Sequence, residues 1–423
     1  MSASRARTVD SSWSWVVTGG AFVVLYLVYG ASLSFGVFFP SLETAFNADR
    51  AATSLVFSIV GGLYSTLGIL SGPAADRFGT RIVCLTGTTL AGIGLIYASS
   101  ATALWQVYLG FGVGVSFGMG CNFAPASAGL QRWFTKRRGL ASGIASTGIG
   151  ISILTMPAIV AYLIEGYDWR TAMAAVGIAT LVIGGAASLL MGDPPGSTGQ
   201  AARSGDGNAQ PFDVKAALLS RGFVMLYLSS MFCCVGVFIP FVHLVAYSVD
   251  QGLGEQTGVF LIASIGLASI IGRLFLTAIS DRVSRRNLLS VMYLMQGVGL
   301  LLWFWAGFGE SPNTAMLTVF TVMFGIGYGG YVSMIAPMLA EYFGTAKIGS
   351  MLGILMSSIA IGAFFGPWLM GQAFDTLGSY DVPLFCAATL GLAAAIAVMV
   401  MPAKAYPPKQ FIQRAGAGIS TGS

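Results

Sequence analysis

The sequence predicts an all-α membrane protein with twelve transmembrane helices in two six-helix, pseudo-symmetric halves. Three observations carry that prediction. The composition cannot clothe a water-facing surface, twelve apolar runs have membrane-spanning length, and a repeat relates the first six runs to the last six. Of the 423 residues, 55% are hydrophobic and 9% charged, where a soluble domain carries roughly 25% charged residues. Mean hydropathy is +0.79. Lipid is therefore the solvent for most of the chain. A soluble enzyme, a nuclear protein and a disordered regulator are excluded at this point.

A helix needs about 20 largely apolar residues to cross the hydrocarbon layer. Such runs lie at 14–39, 51–74, 82–100, 104–131, 139–163 and 170–191. Six more follow at 220–247, 256–280, 287–308, 314–340, 349–373 and 383–402. The first long apolar run continues straight into a helix-sized span, so no cleavable leader is expected. The longest polar connection opens with Asp193-Pro194-Pro195-Gly196 and continues in Gly, Ser, Asn and Gln, the composition of a flexible linker. The expected organisation is a first half over 1–191, a cytoplasmic linker over 192–219, a second half over 220–402 and a cytoplasmic tail over 403–423.

Lys and Arg set the orientation. With both ends inside, eighteen of the 21 basic residues fall on the inner side and only Arg50 and Arg170 on the outer. The last, Arg273, lies inside a span. This asymmetry places both termini in the cytoplasm, in a cell membrane crossed many times. It also explains the net charge of +5 as topology, so no nucleic-acid partner is expected. The five cysteines, Cys84, Cys121, Cys233, Cys234 and Cys386, all sit in apolar runs. Their number is odd and their spacing suits neither a disulfide framework nor a metal site.

The two halves repeat each other. Asp76-Arg77 after the second run answers Asp281-Arg282 after the eighth, 205 residues on. Phe117-Gly118 answers Phe324-Gly325 at 207, Trp133-Phe134 answers Tyr342-Phe343 at 209, and Pro157 answers Pro367 at 210. A near-constant offset indicates duplication of a six-helix unit. Two halves related by an axis along the membrane normal form a transporter architecture with a central site at their interface.

All 16 acidic residues fall in loops or at span ends, so Arg273 has no carboxylate at its depth. Arg273 stands about 7 Å to the cytoplasmic side of the middle of its span at 1.5 Å per residue, where an arginine still costs about 2.5–3.5 kcal/mol on the insertion scale. An anionic ligand offsets that cost, and a guanidinium grips a carboxylate through two parallel hydrogen bonds. The alternative is an arginine satisfied by main-chain carbonyls and water. Further polar side chains in the runs are Asn122, which both donates and accepts, and Tyr328 with Tyr331, three apart on one helical face. Of these two tyrosines, Tyr331 is the first choice for a carboxylate contact. Asn122 fits an interhelical contact equally well. His243 is the only histidine and titrates near neutrality in water; carrying a proton and packing helices are both open to it. Glycines such as Gly112, Gly114, Gly118 and Gly120 suit close helix approach and sliding alike.

Particular segments resemble a known family. Gly72-Pro73-Ala74-Ala75-Asp76-Arg77-Phe78-Gly79-Thr80-Arg81 resembles the loop signature of the major facilitator superfamily, with a degenerate copy at Asp281-Arg282-Val283-Ser284-Arg285-Arg286. Two further segments look like motifs of its monocarboxylate transporter family. Asp10-Ser11-Ser12-Trp13-Ser14-Trp15 stands before the first run, and Trp133-Phe134-Thr135-Lys136-Arg137-Arg138-Gly139-Leu140-Ala141-Ser142-Gly143 leads into the fifth. The first departs at Ser11, where Gly is usual; the second has Trp133 where Tyr is usual. The resemblance covers the whole chain and implies the major facilitator fold.

The resemblance also implies roles. Family members place a substrate-binding Arg in the eighth span, which falls on Arg273. Asp76, Arg77, Arg81, Asp281 and Arg282 become gating residues that pair at the cytoplasmic face in one conformation. Lys136, Arg137 and Arg138 fit a gate and a topological anchor alike, and Trp13 with Trp15 fit an interfacial aromatic belt. Leu33 stands where animal members have a lysine linked to proton binding, and here suits an apolar wall for the substrate's carbon chain. Ser269 stands where proton-coupled animal members have Asp. The related oxalate–formate exchangers, which this chain resembles as a bacterial-type member, carry a second cation in the eleventh span. The segment Gly353-Ile354-Leu355-Met356-Ser357-Ser358-Ile359-Ala360-Ile361 has none, so a monocarboxylate is the simpler cargo than a dicarboxylate.

The expected function is secondary active transport of small monocarboxylates of the lactate or pyruvate kind, together with a proton, by alternating access. The alternatives are an organic anion exchanger or efflux carrier and, outside transport, a membrane anion receptor or sensor. A lone histidine cannot supply a bis-histidine haem, no metal motif appears, and Gly-x-x-x-x-Gly-Lys-Ser/Thr is absent. No cofactor, no enzymatic activity and no obligate protein partner are expected; the partners are the anion, the proton and the bilayer.

Overall fold

The computed structural model describes residues 9–134, 138–194, 217–279, 283–308, 312–343 and 348–402. All regular structure among them is helical. Twelve helices are long and apolar enough to cross a membrane: Ser12–Leu33, Arg50–Ala75, Thr80–Ser99, Leu104–Ser127, Gly143–Gly166, Trp169–Leu190, Arg221–Asp250, Glu255–Leu276, Arg285–Ala306, Thr314–Ile335, Ile354–Leu377 and Asp381–Met399. They match the twelve apolar runs of the sequence one for one. An even number of crossings brings Ser12 and Met399 to the same face of the bundle, called here the end-bearing face.

Two spans are broken, which periodicity alone does not show. The first continues past Ser34 as a second helix, Phe35–Phe46. The seventh consists of Arg221–Val237 and Ile239–Asp250. Proline explains the second break. Pro240 has no N–H to give to Gly236, and its ring crowds that carbonyl. Pro40 removes the corresponding bond inside Phe35–Phe46. At Ser34 the hydroxyl donates to the Gly30 carbonyl at 2.6 Å, satisfying an oxygen at the break. The outer pieces of spans 1 and 7 then cross each other closely. A Cβ on Gly36 would stand 2.6 Å from the Phe241 carbonyl oxygen, so only glycine lets these backbones meet.

The packing repeats as the sequence does. Span 1 packs on 5, 2 on 4, 3 on 4 and 3 on 6; in the second half 7 packs on 11, 8 on 10, 9 on 10 and 9 on 12. Between the halves, 2 packs on 11 and 5 on 8, two pairings that the pseudo-two-fold exchanges. Both are set by glycine. Cβ atoms on Gly61 and Gly371 would stand 2.6 Å from the Ala363 methyl and 2.7 Å from the Arg50 carbonyl. Gly266 likewise lies against the Ile153–Leu154 backbone.

At the end-bearing face each half is tied by the residues that leave its last span. Trp133 Nε1 donates to the Gly192 carbonyl at 2.6 Å, and Arg286 Nη1 donates to that of Met401 at 2.9 Å. Asp193 accepts from Thr80 N and Thr80 Oγ1, both at 2.8 Å, and from Arg132 Nη1 at 3.0 Å. The carboxylate thus caps span 3 and neutralises Arg132. The sequence reading begins the linker at 192. In the structure Gly192 and Asp193 are built into the first half, because a helix N-terminus and a guanidinium claim the acid. Residues 195–216 of the linker and the tail over 403–423 lie outside the described residues.

Contacts that join the two halves run from the Arg273–Ser146 bond, on the end-bearing side of the middle, to the face opposite the chain ends. They include Arg273 with Ser146, Gly150 with Ile270 and Gly61 with Ala363, then Gln256 with Glu165 and Arg50 with Asp250. The bundle is closed on that face.

Candidate functional site

Arg273 lies on the end-bearing side of the middle of span 8, three residues before Leu276, where spans 8, 10, 5 and 1 approach. Spans 8 and 10 meet backbone to backbone. A Cβ on Gly325 would stand 2.6 Å from the Ile265 carbonyl oxygen, and Gly272 and Gly329 lie equally tight against Ile326 and Ser269. Close approach lays the Tyr328 ring beside the guanidinium, with Cζ 6.0 Å from its centroid, the outer limit of a cation–π contact. Tyr29 of span 1 comes within electrostatic reach of the same group.

The guanidinium is only partly satisfied. Nη1 donates to the main-chain oxygen of Ser146 in span 5 at 2.8 Å. Nε and Nη2 are buried and have no hydrogen-bond partner among the described residues. The residue is 8% exposed, so bulk water does not compensate. A buried charge with unmade hydrogen bonds is costly. Two adjacent N–H donors of one fork, open in the same direction, match the two oxygens of a carboxylate. The carbonyl contact realises part of the main-chain alternative left open by the sequence.

The remaining sequence candidates fall into three places. Tyr328 shares the Arg273 site, and Leu33 is buried in span 1, one turn beyond Tyr29. Asn122 instead lies inside the first half. Its amide donates to Thr88 Oγ1 at 3.1 Å and to the Gly118 carbonyl at 2.7 Å. Tyr331 lies inside the second half, its hydroxyl 3.2 Å from Cys234 Sγ and its ring against Tyr293. Three residues on a helix turn about 300°. Tyr328 and Tyr331 can therefore share a broad face while their tips serve different neighbours.

His243 occupies the crossing of spans 7, 2 and 11. Nε2 lies 2.9 Å from the Pro367 carbonyl oxygen, which only accepts, so Nε2 carries the hydrogen. Ser54 Oγ lies 3.2 Å from the same nitrogen, and the rings of Phe39 and Tyr380 flank the imidazole.

Of the expected gating residues, Arg77 lies over the Phe78 ring, with Cζ 5.4 Å from its centroid. Arg81 packs against Gly192, where a Cβ would stand 2.7 Å from Nη2. Asp281, Arg282, Lys136 and Arg137 lie outside the described residues, as do the side chains of Asp76 and Arg138. The two family-like motifs of the first half touch one another. Asp10 N donates to the Trp133 carbonyl at 2.9 Å, and the Trp15 and Phe134 rings meet edge to face at 4.9 Å. Both contacts stay within one half, which makes them braces.

Sequence reasoning missed Tyr29. The available signal was its spacing: Tyr29 and Leu33 are four apart and therefore share a helical face. It also missed the cluster at Arg50, which it used with Arg170 only to set the orientation.

Comparison with known proteins places this geometry. The sequence profile described as Major Facilitator Superfamily matches residues 20–315 and, overlapping them, 266–421. Monocarboxylate transporter 13 of Bos taurus is 31% identical over 403 residues, 95% of this chain and 92% of that protein. Monocarboxylate transporter 13 of Rattus norvegicus is 30% identical over 401 residues, covering 94% and 91%. The crystal structure of a D-xylose–proton symporter superposes with a TM-score of 0.74 at 15% identity, over 92% of this chain and 98% of that one.

Proposed function

This chain belongs to the Major Facilitator Superfamily and, within it, to the monocarboxylate transporters, so it is a multi-pass membrane transporter; from that premise we propose that its cargo is a small monocarboxylate of the lactate or pyruvate kind, moved together with a proton. The carrying observation is Arg273: a buried guanidinium with two donors unused, between the two halves. A carboxylate completes its hydrogen bonds and cancels its charge. Tyr328 and Tyr29 flank the anion, and Leu33 supplies apolar surface for its carbon chain. Asn122 and Tyr331 are assigned to packing, because their polar atoms already serve protein neighbours, and His243 joins them because its Nε2 is held by the Pro367 carbonyl, although its Nδ1 has no partner among the described residues.

Closure and cargo are linked through the same atom group. Arg273 already holds Ser146 across the interface of spans 5 and 8. Neutralising it lowers the cost of sealing the cavity, so the halves rock more readily when loaded. The positive-inside asymmetry supports a cell-membrane orientation with the end-bearing face in the cytoplasm. The closed face then looks outward, and the described conformation is outward-closed. Proton coupling rests on the family relationship.

The test is uptake of radiolabelled lactate and pyruvate into proteoliposomes, with and without a pH gradient, for wild type and Arg273→Lys. Lysine keeps the charge and loses the planar fork. Saturable uptake that collapses in Arg273→Lys is the expected result; wild-type uptake by that variant would overturn carboxylate recognition at this site.

A further inference from the structure

The face opposite the chain ends is sealed by an ion cluster that the transport reading does not use. Arg50, at the start of span 2, is its centre. Its Nη2 donates to Asp250 Oδ1 at 2.7 Å while Nη1 lies 2.5 Å from Oδ2. Its Nε lies 3.3 Å from Glu43 Oε1. Its own backbone N–H and that of Ala51 donate to the two oxygens of Asp375, at 3.1 and 2.8 Å. The Phe374 ring covers the guanidinium at 4.0 Å. Glu43 and Arg50 belong to the first half, Asp250 and Asp375 to the second. The seam therefore closes through one cation and three carboxylates.

The three acids are not equally satisfied. Asp250 holds both guanidinium nitrogens and accepts from Tyr380 Oη at 3.0 Å. Asp375 has two backbone donors at a helix N-terminus, where negative charge is favoured. Glu43 has the one longer contact to Nε. It is the carboxylate left in excess.

Among the described residues, the other groups around the helix Phe35–Phe46 offer no second cation. Span 2 adds Asp49, which caps Ala52 N, and span 7 adds His243 against Phe39. On the far flank Asp168 borders the groove beside Thr44 and caps Thr171 N. Arg170 is turned to the Ala101 carbonyl and the Trp169 ring. A second cross-half contact on this face is also acidic. Gln256 of span 8 donates to Glu165 of span 5 at 3.2 Å, with Glu255 lining the same groove of about 260 Å³.

We propose that this seam is a proton-operated latch: protonated Glu43 lets the halves stay closed, and ionised Glu43 adds the charge that drives them apart. The proton comes from the solution on that face as the seam closes and returns there as it opens, with no covalent change. Burial among like charges pushes the Glu43 carboxyl up to about 7, against the pull of Arg50. Once the seam opens, Glu43 faces water and returns toward its ordinary value near 4.5. The closed state therefore binds more protons between these values. Closure strengthens as pH falls from about 7 toward 4.5 and gains nothing further below that range. Each unit of difference is at most tenfold in the closed-to-open ratio. Partial exposure screens it, so about tenfold in all is expected.

The motion rests on the alternating-access reading; the titration does not depend on the cargo. Spin labels on Asn47→Cys and Gln251→Cys, in a Cys386→Ala background, report the seam in proteoliposomes without substrate. From pH 5 to 8 the open population should rise about tenfold. Glu43→Gln and Glu43→Ala should both abolish that response, Gln holding the short distance throughout. Asp250→Asn, which releases the pin, should favour the long distance at both pH values. A pH response that survives in either Glu43 variant, or a wild type with none, overturns the latch. Failure of the transport reading would appear separately, as uptake unchanged by Arg273→Lys with the label response intact.

Discussion

Arg273 and Arg50 are the same side chain in opposite electrostatic circumstances. Arg50 sits at a helix start with Asp250 on its fork, Glu43 on its Nε and the Phe374 ring over its face. Arg273 sits within span 8, toward the end-bearing face, with one carbonyl and a ring at 6.0 Å. The first is charge-paired within the protein by Asp250 and Glu43, although its Nη1 touches Asp250 without a hydrogen bond. The second is incomplete until something negative arrives. We read the charge-paired cation between the halves as a pin and the one without a carboxylate as a site. The difference lies in what the neighbouring spans bring, since no acid lies inside a span at the depth of Arg273.

The largest expected effect tests the unsaturated partner. Arg273→Lys should cut monocarboxylate uptake by about tenfold or more, because a charged hydrogen-bond pair is worth roughly 1.5–3 kcal/mol. Arg50→Lys, by contrast, should leave the apparent KM for the anion within about twofold and alter maximal velocity by a few-fold, since a pin sets conformational exchange. A matching rise in KM for both variants would erase the contrast between the two arginines.

Next comes the boundary of the site. Asn122→Ala should cost about 1–3 kcal/mol of stability by leaving the Thr88 hydroxyl and the Gly118 carbonyl short of a donor, while KM stays put; thermal unfolding and concentration-dependent uptake read the two separately. Tyr328→Phe keeps the ring beside Arg273 and removes the hydroxyl. A rise in KM of about two- to tenfold follows if that hydroxyl meets the anion, and an unaltered KM would assign Tyr328 to the ring contact alone. The smallest change belongs to His243→Gln. Glutamine Nε2 can still donate to the Pro367 carbonyl, so the pH profile of uptake should not move; a flattened profile would return the proton to this residue.

Much of the fold was legible in the chain. Twelve apolar runs became twelve helices, and the duplication seen at Pro157 and Pro367 reappeared in helix pairings that match across the halves. These features are periodic and local, so composition and spacing suffice to reveal them. Of the site, Arg273 was legible because charge in lipid is costly wherever the chain turns. Tyr29 was signalled only by its spacing from Leu33. Asn122 and Tyr331 looked equivalent to any polar group in a span until their neighbours were known.

Sequence by itself determined the solvent, the number of crossings, the two-fold repeat and the one cation placed where no acid can reach it, because each follows from hydropathy and charge counted along the chain. Tertiary structure alone decided which polar groups are spent and which are open. It brought Asp250 and Asp375, some 200 and more residues away, onto Arg50, and brought a carbonyl and the Tyr328 ring to Arg273. Hydrogen bonds saturate at a few ångströms. Whether a buried donor is satisfied is therefore settled by which helices touch, which no local pattern records.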